Sequence, residues 1–228
     1  MQRHFEIELE ELRGCVLDMG GCVQRAIHLS VESLHAQDLG AAAEATHEVI
    51  EQLEPRVNDL HRQIDQRSLD LIALQQVMAV DLRFVTAATR IGSDLERMSD
   101  RAVNIARRVI SILTNPNPRS VVQLPRMAET VEAMVHDSIG AFERRDEKLA
   151  RSILQRDHEV DEYRDVVFQE LVDEATAETR FIQQALDLIL VSRNLERIAD
   201  HATNVAESVV FMVVGEDIRH RYNTATRS

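Results

Sequence analysis

One pattern of polar residues in this chain could bind a metal ion, and the pattern occurs twice. Glutamate, aspartate and asparagine at positions i, i+4 and i+8 lie in one line along a helix. Carboxylate oxygens placed in such a line are suitable ligands for hard or borderline cations such as Mg²⁺, Ca²⁺, Mn²⁺ or iron. The two copies, offset by 100 residues without a gap, are Glu96, Asp100 and Asn104, then Glu196, Asp200 and Asn204.

A further pair of acidic residues could complete such a site in the second half of the chain. Asp157 and Asp161 are one helical turn apart, and they align with Glu54 and Asn58 at an offset of 103 residues. An antiparallel hairpin with its turn near residue 176 puts Asp157 level with the second copy of the pattern. We therefore predict one cluster of four carboxylates and one weaker cluster with a neutral amide: Asp157, Asp161, Glu196 and Asp200, then Glu54, Asn58, Glu96 and Asp100.

Four further polar residues could orient these carboxylates, because groups adjacent to metal ligands commonly hydrogen-bond to them. These residues are Asn104, Asn204, His158 and His201. The alternative interpretation is a solvated face, in which arginines three residues before the acids pair with them locally. The candidates for that pairing are Arg97, Arg193 and Arg197. The duplication favours the metal site, because a solvated face need not repeat.

The elements that must position these residues are long amphipathic helices. Apolar residues recur at helical spacing in both halves, and no segment sustains the alternation of a strand. Asp38 and Asp146 mark the first turn of each half. The predicted fold class is all-α, with two tandem three-helix bundles related by internal duplication. The predicted helices are 4–36, 41–75, 77–113, 125–143, 147–174 and 178–214.

Prolines indicate where the two halves meet. Three of the four prolines fall between residues 114 and 125, where long helices cannot continue. The predicted organisation is a first bundle over 1–114, a linker over 115–124, a second bundle over 125–216 and a tail over 217–228. The fourth proline, Pro55, lies inside a predicted helix and should kink or restart it.

Charge and hydropathy exclude several classes of protein. A formal net charge of −13 argues against a nucleic-acid backbone as the main partner. The longest plain apolar run, 209–214, is far shorter than the roughly 20 residues of a membrane span. The acidic N-terminal residues do not resemble a signal peptide, and Cys15 and Cys22 are too far apart along a helix for a disulfide. We expect a cytoplasmic protein, which leaves peripheral association with the inner face of the membrane open.

No catalytic constellation is evident in the sequence. Gly-rich phosphate loops, nucleophile motifs and zinc patterns are absent. Two Glu-x-x-His spacings, at 32–35 and 44–47, are typical of carboxylate-bridged iron enzymes only when they lie on facing helices. These two flank a predicted turn, so we expect no enzyme and no catalytic residues.

The two copies of the polar pattern resemble the paired signature of the PhoU family of bacterial phosphate-uptake regulators. Residues 95–106 and 195–206 carry the signature, and 74–83 and 213–219 are similar to further family segments. The resemblance implies two three-helix bundles with metal-binding acidic motifs. Asn58 and Pro55 depart from the motif, and the ion could be iron, zinc, manganese, magnesium or calcium.

The resemblance also implies a regulatory function. Family members help repress the phosphate-starvation response, acting between a phosphate ABC transporter ATPase and a sensor histidine kinase, and they often form homodimers. Membrane contact would then occur only through these partners. Two alternatives stay open: a paralogue that controls persistence or polyphosphate, and a carboxylate-bridged metalloenzyme.

Overall fold

The computed structural model describes residues 2–36, 38–74, 79–115 and 123–218. Within those ranges the chain is almost entirely helical and forms no strand. Every predicted helix is present, and its ends lie within four residues of the prediction. The α-helices are α1 (Gln2–Ala36), α2 (Leu39–Glu48), α3 (Glu54–Leu74), α4 (Ala79–Leu113), α5 (Gln123–Arg144), α6 (Glu147–Ala177) and α7 (Ile182–Val214).

The turns that open the second helix of each half use the same cap. The Asp38 carboxylate accepts a hydrogen bond from the backbone N–H of Ala41 at 3.0 Å. The Asp146 carboxylate accepts one from Leu149 N–H, also at 3.0 Å. Both side chains satisfy amides that have no partner within the helix, which stabilises the helix start by about 1 kcal/mol.

Pro55 is accommodated by a wider helical turn immediately before it. Residues Val49–Leu53 form a π-helical turn, and the Glu54 N–H donates to the carbonyl of Val49, five residues back. Proline has no amide hydrogen and collides with the carbonyl four residues earlier, so a wider turn avoids both problems. The predicted interruption of α-helical bonding is confirmed, and the α-helix restarts at Glu54.

The predicted pair of three-helix bundles is confirmed. In the first bundle α1, the α2–α3 segment and α4 pack against one another, and in the second α5, α6 and α7 do so. One hydrophobic core runs through both bundles and includes Met19, Leu95, Met127 and Phe142, all at most 1% exposed. The predicted limits of the bundles and the linker stay predictions, because residues 116–122 and 219–228 lie outside the described ranges.

The two bundles meet along α4 and α7, which run antiparallel. His201 Nδ1 lies 2.9 Å from the Asp94 carboxylate, and Arg108 pairs with the buried carboxylate of Asp187 at 2.9 Å. In both pairs the residue numbers sum to the same value, as expected for two antiparallel helices in register. When 100 is added to the first-half residue number of such a pair and subtracted from the second-half residue number, the sum stays the same. The two helices of the seam are therefore related by an internal two-fold axis that crosses it.

Among the described helices, none combines the length and the apolar composition that crossing a bilayer requires.

Candidate metal centre

The acidic residues of the second half lie where α6 and α7 form an antiparallel hairpin. Buried Val160 and Val167 fix one side of α6 on the core, and the chain reverses through a short 3₁₀ turn at Thr179–Phe181. The charges of three other carboxylates act on Asp157, so the four predicted residues are neighbours. They are Asp157 and Asp161 on α6, and Glu196 and Asp200 on α7.

Burial and mutual repulsion hold these carboxylates in an unfavourable environment. Burial first, and then the charges of Asp200, Asp161 and Glu196, raise the pKa of Asp157 to about 6. Burial likewise raises the pKa of Asp200, which the Arg197 guanidinium opposes from 3.1 Å. A cation placed among these groups would lower both pKa values, because it favours the ionised form.

Arg164 supplies part of that positive charge. Its Nη1 donates to Asp161 at 2.8 Å and to Glu196 at 2.7 Å, and its Nε and Nη2 both reach Asp165. Burial alone would lower the pKa of Arg164, but the hydrogen bonds to Asp165 and Glu196 outweigh it and raise the value. Sequence analysis missed Arg164, although its position three residues after Asp161 on the same helical line was an available signal.

The local pairing predicted for the solvated-face alternative is confirmed for Arg197, which pairs with Asp200. Within the described ranges Arg97 and Arg193 make no ion pair with the acid three residues later. The principal cation of the cluster therefore comes from α6 and bridges to α7, instead of pairing within one helix.

The chemistry of the second-half cluster fits an oxygen-ligated cation, although the side-chain arrangement is not that of a bound ion. Its ligands are all carboxylates, which suit hard divalent ions or iron. In the parts of the chain that the structure describes, no three His, Cys, Asp or Glu side chains converge closely enough to hold an ion. An ion that used Asp161 Oδ1 and Glu196 Oε1 would have to displace Arg164, because the guanidinium now binds these two oxygens.

The first-half cluster differs in three positions. Glu54 stands where the second half has Asp157, Asn58 where it has Asp161, and His61 where it has Arg164. His61 lies 3.5 Å from Ser93 and 3.9 Å from Asp65, and it reaches none of the predicted acids. Four side chains make no hydrogen bond or ion pair with any described residue: Glu54, Asn58, Glu96 and Asp100.

The residues predicted to orient the carboxylates are mostly engaged elsewhere. His201 and Asn204 both bind Asp94 on α4, so they join the two bundles. His158 is exposed and lies 3.3 Å from Glu162 on its own helix. Asn104 makes no hydrogen bond within the described ranges. The sequence did not predict these contacts between the two bundles, because the polar pattern of one helix carries no information about the residues on the facing bundle.

A comparison with protein families identifies the chain. A model of the PhoU domain matches two stretches, residues 16–109 and 124–209. The chain belongs to the PhoU family. The two matches coincide with the two bundles, and each contains one copy of the polar pattern.

Named relatives of the PhoU family match almost the whole chain. The Pseudomonas putida protein, named phosphate-specific transport system accessory protein PhoU homolog, is 35% identical over 96% of this chain and 84% of its own length. The Aquifex aeolicus protein of the same name is 38% identical over 94% of this chain and 95% of its own.

Solved PhoU structures share the fold. The crystal structure of PhoU from Pseudomonas aeruginosa is 34% identical, with a TM-score of 0.86 over 93% of this chain and 100% of its own. The phosphate transport system regulatory protein PhoU from Streptococcus pneumoniae is 28% identical, with a TM-score of 0.82 over 93% of this chain and 98% of its own.

Of the two Glu-x-x-His spacings, the structure describes both side chains only for the one on α2. Glu44 and His47 are both exposed on α2 instead of facing the bundle interior. Glu32 pairs with His28 on α1, and the side chain of His35 lies outside the described residues. The names of the relatives describe accessory and regulatory proteins of a transport system.

Proposed function

We propose that this protein represses the phosphate-starvation response and restrains phosphate uptake, as an adaptor between a phosphate ABC transporter ATPase and a sensor histidine kinase. The observation that carries the proposal is the family match to both bundles, with relatives named as transport accessory proteins across nearly the whole chain. Such an adaptor works at the cytoplasmic face of the membrane, where its partners present their catalytic domains.

The shape of the molecule supports an adaptor. Two hairpins, α3–α4 and α6–α7, each present helical surface to solvent, and helices recognise partners through such surfaces. Exposed apolar residues lie near the turn of each hairpin, for example Leu69 in the first half and Leu186 in the second. Exposed apolar residues that lie together can mark a protein interaction site.

Deletion and restoration of the gene test the proposal. An alkaline phosphatase reporter should be strongly induced in phosphate-rich medium when the gene is deleted, and the intact gene should return it to the repressed level. Unchanged reporter output on deletion would contradict the proposal. In that case the paralogue with a role in persistence or polyphosphate control becomes the better candidate, which survival under antibiotic and polyphosphate content would measure.

We also propose that the second-half carboxylates bind a divalent or ferric ion. The ion would contribute the positive charge that four neighbouring carboxylates need, and Asp157 would provide an ionised ligand as its pKa fell. Arg164 would turn away from Asp161 and Glu196, so that ion and guanidinium compete for the same oxygens. The first-half cluster would bind more weakly, because Asn58 supplies a neutral amide.

Elemental analysis of the purified protein tests the metal proposal. The intact protein should carry metal, the Asp161→Asn/Asp200→Asn variant should lose most of it, and Glu54→Gln should lose little. The Arg164→Ala variant should bind Mn²⁺ more tightly, because the competing cation is gone. Equal and near-zero metal in all four proteins would contradict the proposal.

A homodimer completes the proposed assembly. Sedimentation equilibrium across a range of concentrations should give twice the chain mass of 25.9 kDa. A single species at the monomer mass at every concentration would contradict it.

A further inference from the structure

The turn end of the second hairpin exposes an unusual amount of apolar side chain. Four large apolar residues near the reversal of α6 into α7 are between 36% and 50% exposed. Residues of these types are ordinarily buried, and a contiguous exposed group marks an interaction site. We name this group the apolar tip, and it consists of Phe168, Val172, Ile182 and Leu186.

The apolar tip and the acidic cluster share one face of the hairpin. On α6, Phe168 lies eleven residues after Asp157, which is three helical turns and the same side of the helix. On α7, Ile182 lies eighteen residues before Asp200, which is five turns and again the same side. The face is therefore apolar at the turn and acidic further along, about 16 Å from Phe168 to Asp157.

The first half repeats two of the four tip positions, whereas Asp65 and Thr86 align with Phe168 and Leu186. Leu69 aligns with Val172 at the offset of 103 residues, and Leu82 aligns with Ile182 at the offset of 100. Both first-half residues are exposed, at 63% and 43%. Two exposed apolar positions are therefore common to both hairpins, and the larger apolar tip is particular to the second half.

We propose that the α6–α7 face binds an amphipathic helix of a partner protein. Apolar residues of that helix would cover the tip, and lysine or arginine two to three turns further along would reach the acidic cluster, where it would compete with Arg164 and with the proposed ion. A groove between two antiparallel helices accepts a third helix through its apolar side chains. This inference rests on the proposed adaptor function, and it specifies the surface and chemistry through which a partner is held.

Charge distinguishes this occupant from a membrane. Arg164 already fits between Asp161 and Glu196 with short hydrogen bonds, so the cluster accommodates a guanidinium. An anionic lipid surface would be repelled by the same carboxylates, although it could accept the apolar tip. A helix that carries both apolar and basic residues satisfies the two parts of the face at once.

Binding of synthetic helices tests the inference directly. Two peptides of about 18 residues, long enough to span the face, would share one leucine stripe and carry either two arginines or two glutamates two to three turns along it. The arginine peptide should bind the full-length protein about tenfold more tightly than the glutamate peptide. Phe168→Asp/Leu186→Asp should weaken its binding about tenfold, and Asp161→Asn/Glu196→Gln should abolish the preference between the peptides.

Leu39→Asp is the matched control, because Leu39 is 44% exposed on α2 and away from this face. It should leave peptide binding unchanged. Helix content and thermal unfolding would verify that each variant is folded. Equal binding of the two peptides, an unchanged affinity of the Phe168→Asp/Leu186→Asp variant, or binding of anionic phosphatidylserine vesicles in place of the peptides would overturn the inference.

The phosphatase reporter separates failure of this inference from failure of the proposed function. The intact gene and the Leu39→Asp variant should restore repression, and the folded Phe168→Asp/Leu186→Asp variant should not. In that case both the docking face and the adaptor function stand. If the variant represses as well as the intact protein, the docking face is wrong and the adaptor function survives. If deletion leaves the reporter unchanged, the adaptor function fails, and the peptide affinities still decide whether the face binds a basic amphipathic helix.

Discussion

The two halves of the molecule build the same hairpin and give its acidic face different partners. In the second half Arg164 bridges Asp161 and Glu196, and burial raises the pKa of Asp157 beside them. In the first half His61 and Asn58 occupy the aligned positions, and His61 reaches Ser93 across the hairpin instead of a carboxylate. The same backbone can therefore carry a dense, internally paired cluster or an open one.

The seam between the bundles shows a similar divergence. At one end Arg108 and Ser111 both donate to the buried carboxylate of Asp187. At the equivalent end, Arg90 stacks over Phe211 instead, with its guanidinium carbon 5.1 Å from the ring centre. Ser208 and Ala87 occupy the equivalents of Arg108 and Asp187, so the internal two-fold constrains the position of the helices more than the chemistry between them.

Removal of Arg108 should produce the largest difference between the two ends of the seam. Arg108→Ala leaves the 2% exposed carboxylate of Asp187 with only a hydroxyl donor, which should cost about 2 kcal/mol. The effect falls below that of a fully buried pair because Arg108 is itself half in solvent. Ser208→Ala, at the aligned position, should cost less than about 0.5 kcal/mol. Urea unfolding measures both, and equal losses would contradict the asymmetry.

The pKa of Asp157 predicts a dependence of stability on pH in the second half. The folded state holds the proton up to about pH 6, whereas the unfolded state releases it near pH 4. The free energy of unfolding should therefore fall as the pH rises from about 4 to 6, by about 1.5 kcal/mol after allowance for solvent screening. Asp157→Asn should remove this slope and stabilise the protein at pH 7. Unfolding curves at several pH values test it, and a slope that persists in the variant would assign it to other groups.

Replacement of the bridging arginine should have the smallest of these effects. Arg164→Leu removes the cation between Asp161 and Glu196 and should destabilise the protein by about 1 kcal/mol at low salt. The loss should shrink in high salt, since screening weakens the repulsion that remains. His61→Leu, the matched change in the first half, should alter the free energy of unfolding by less than about 0.5 kcal/mol. Thermal unfolding at two salt concentrations tests this prediction. A loss of stability that did not depend on salt would contradict it.

The helices and their turns could be predicted from the sequence because local signals specify them. The caps at Asp38 and Asp146, the periodic apolar stripes and the proline at position 55 each act within a few residues. The four carboxylates of the second half could be placed together for the same reason. The level of a residue in an antiparallel hairpin follows from its distance to the turn.

The partners of those residues could not be predicted, since they depend on contacts between distant parts of the chain. Arg164 binds Glu196 across 32 residues, and three other arginines had equally suitable local spacing. Asp94 holds His201 across the seam, which only the docking of the two bundles defines. A helical pattern shows on which face of its own helix a side chain lies. It does not show which side chain faces it from another helix.

The antiparallel seam also fixes how far apart the starts of α4 and α7 lie. Arg83, near the start of α4, lies beside Gly215 at the end of α7. The 33 residues of α7 therefore separate the starts of these two helices by about 50 Å. A single flexible ligand that bound at both ends would therefore need roughly 15 fully extended residues between its two binding segments.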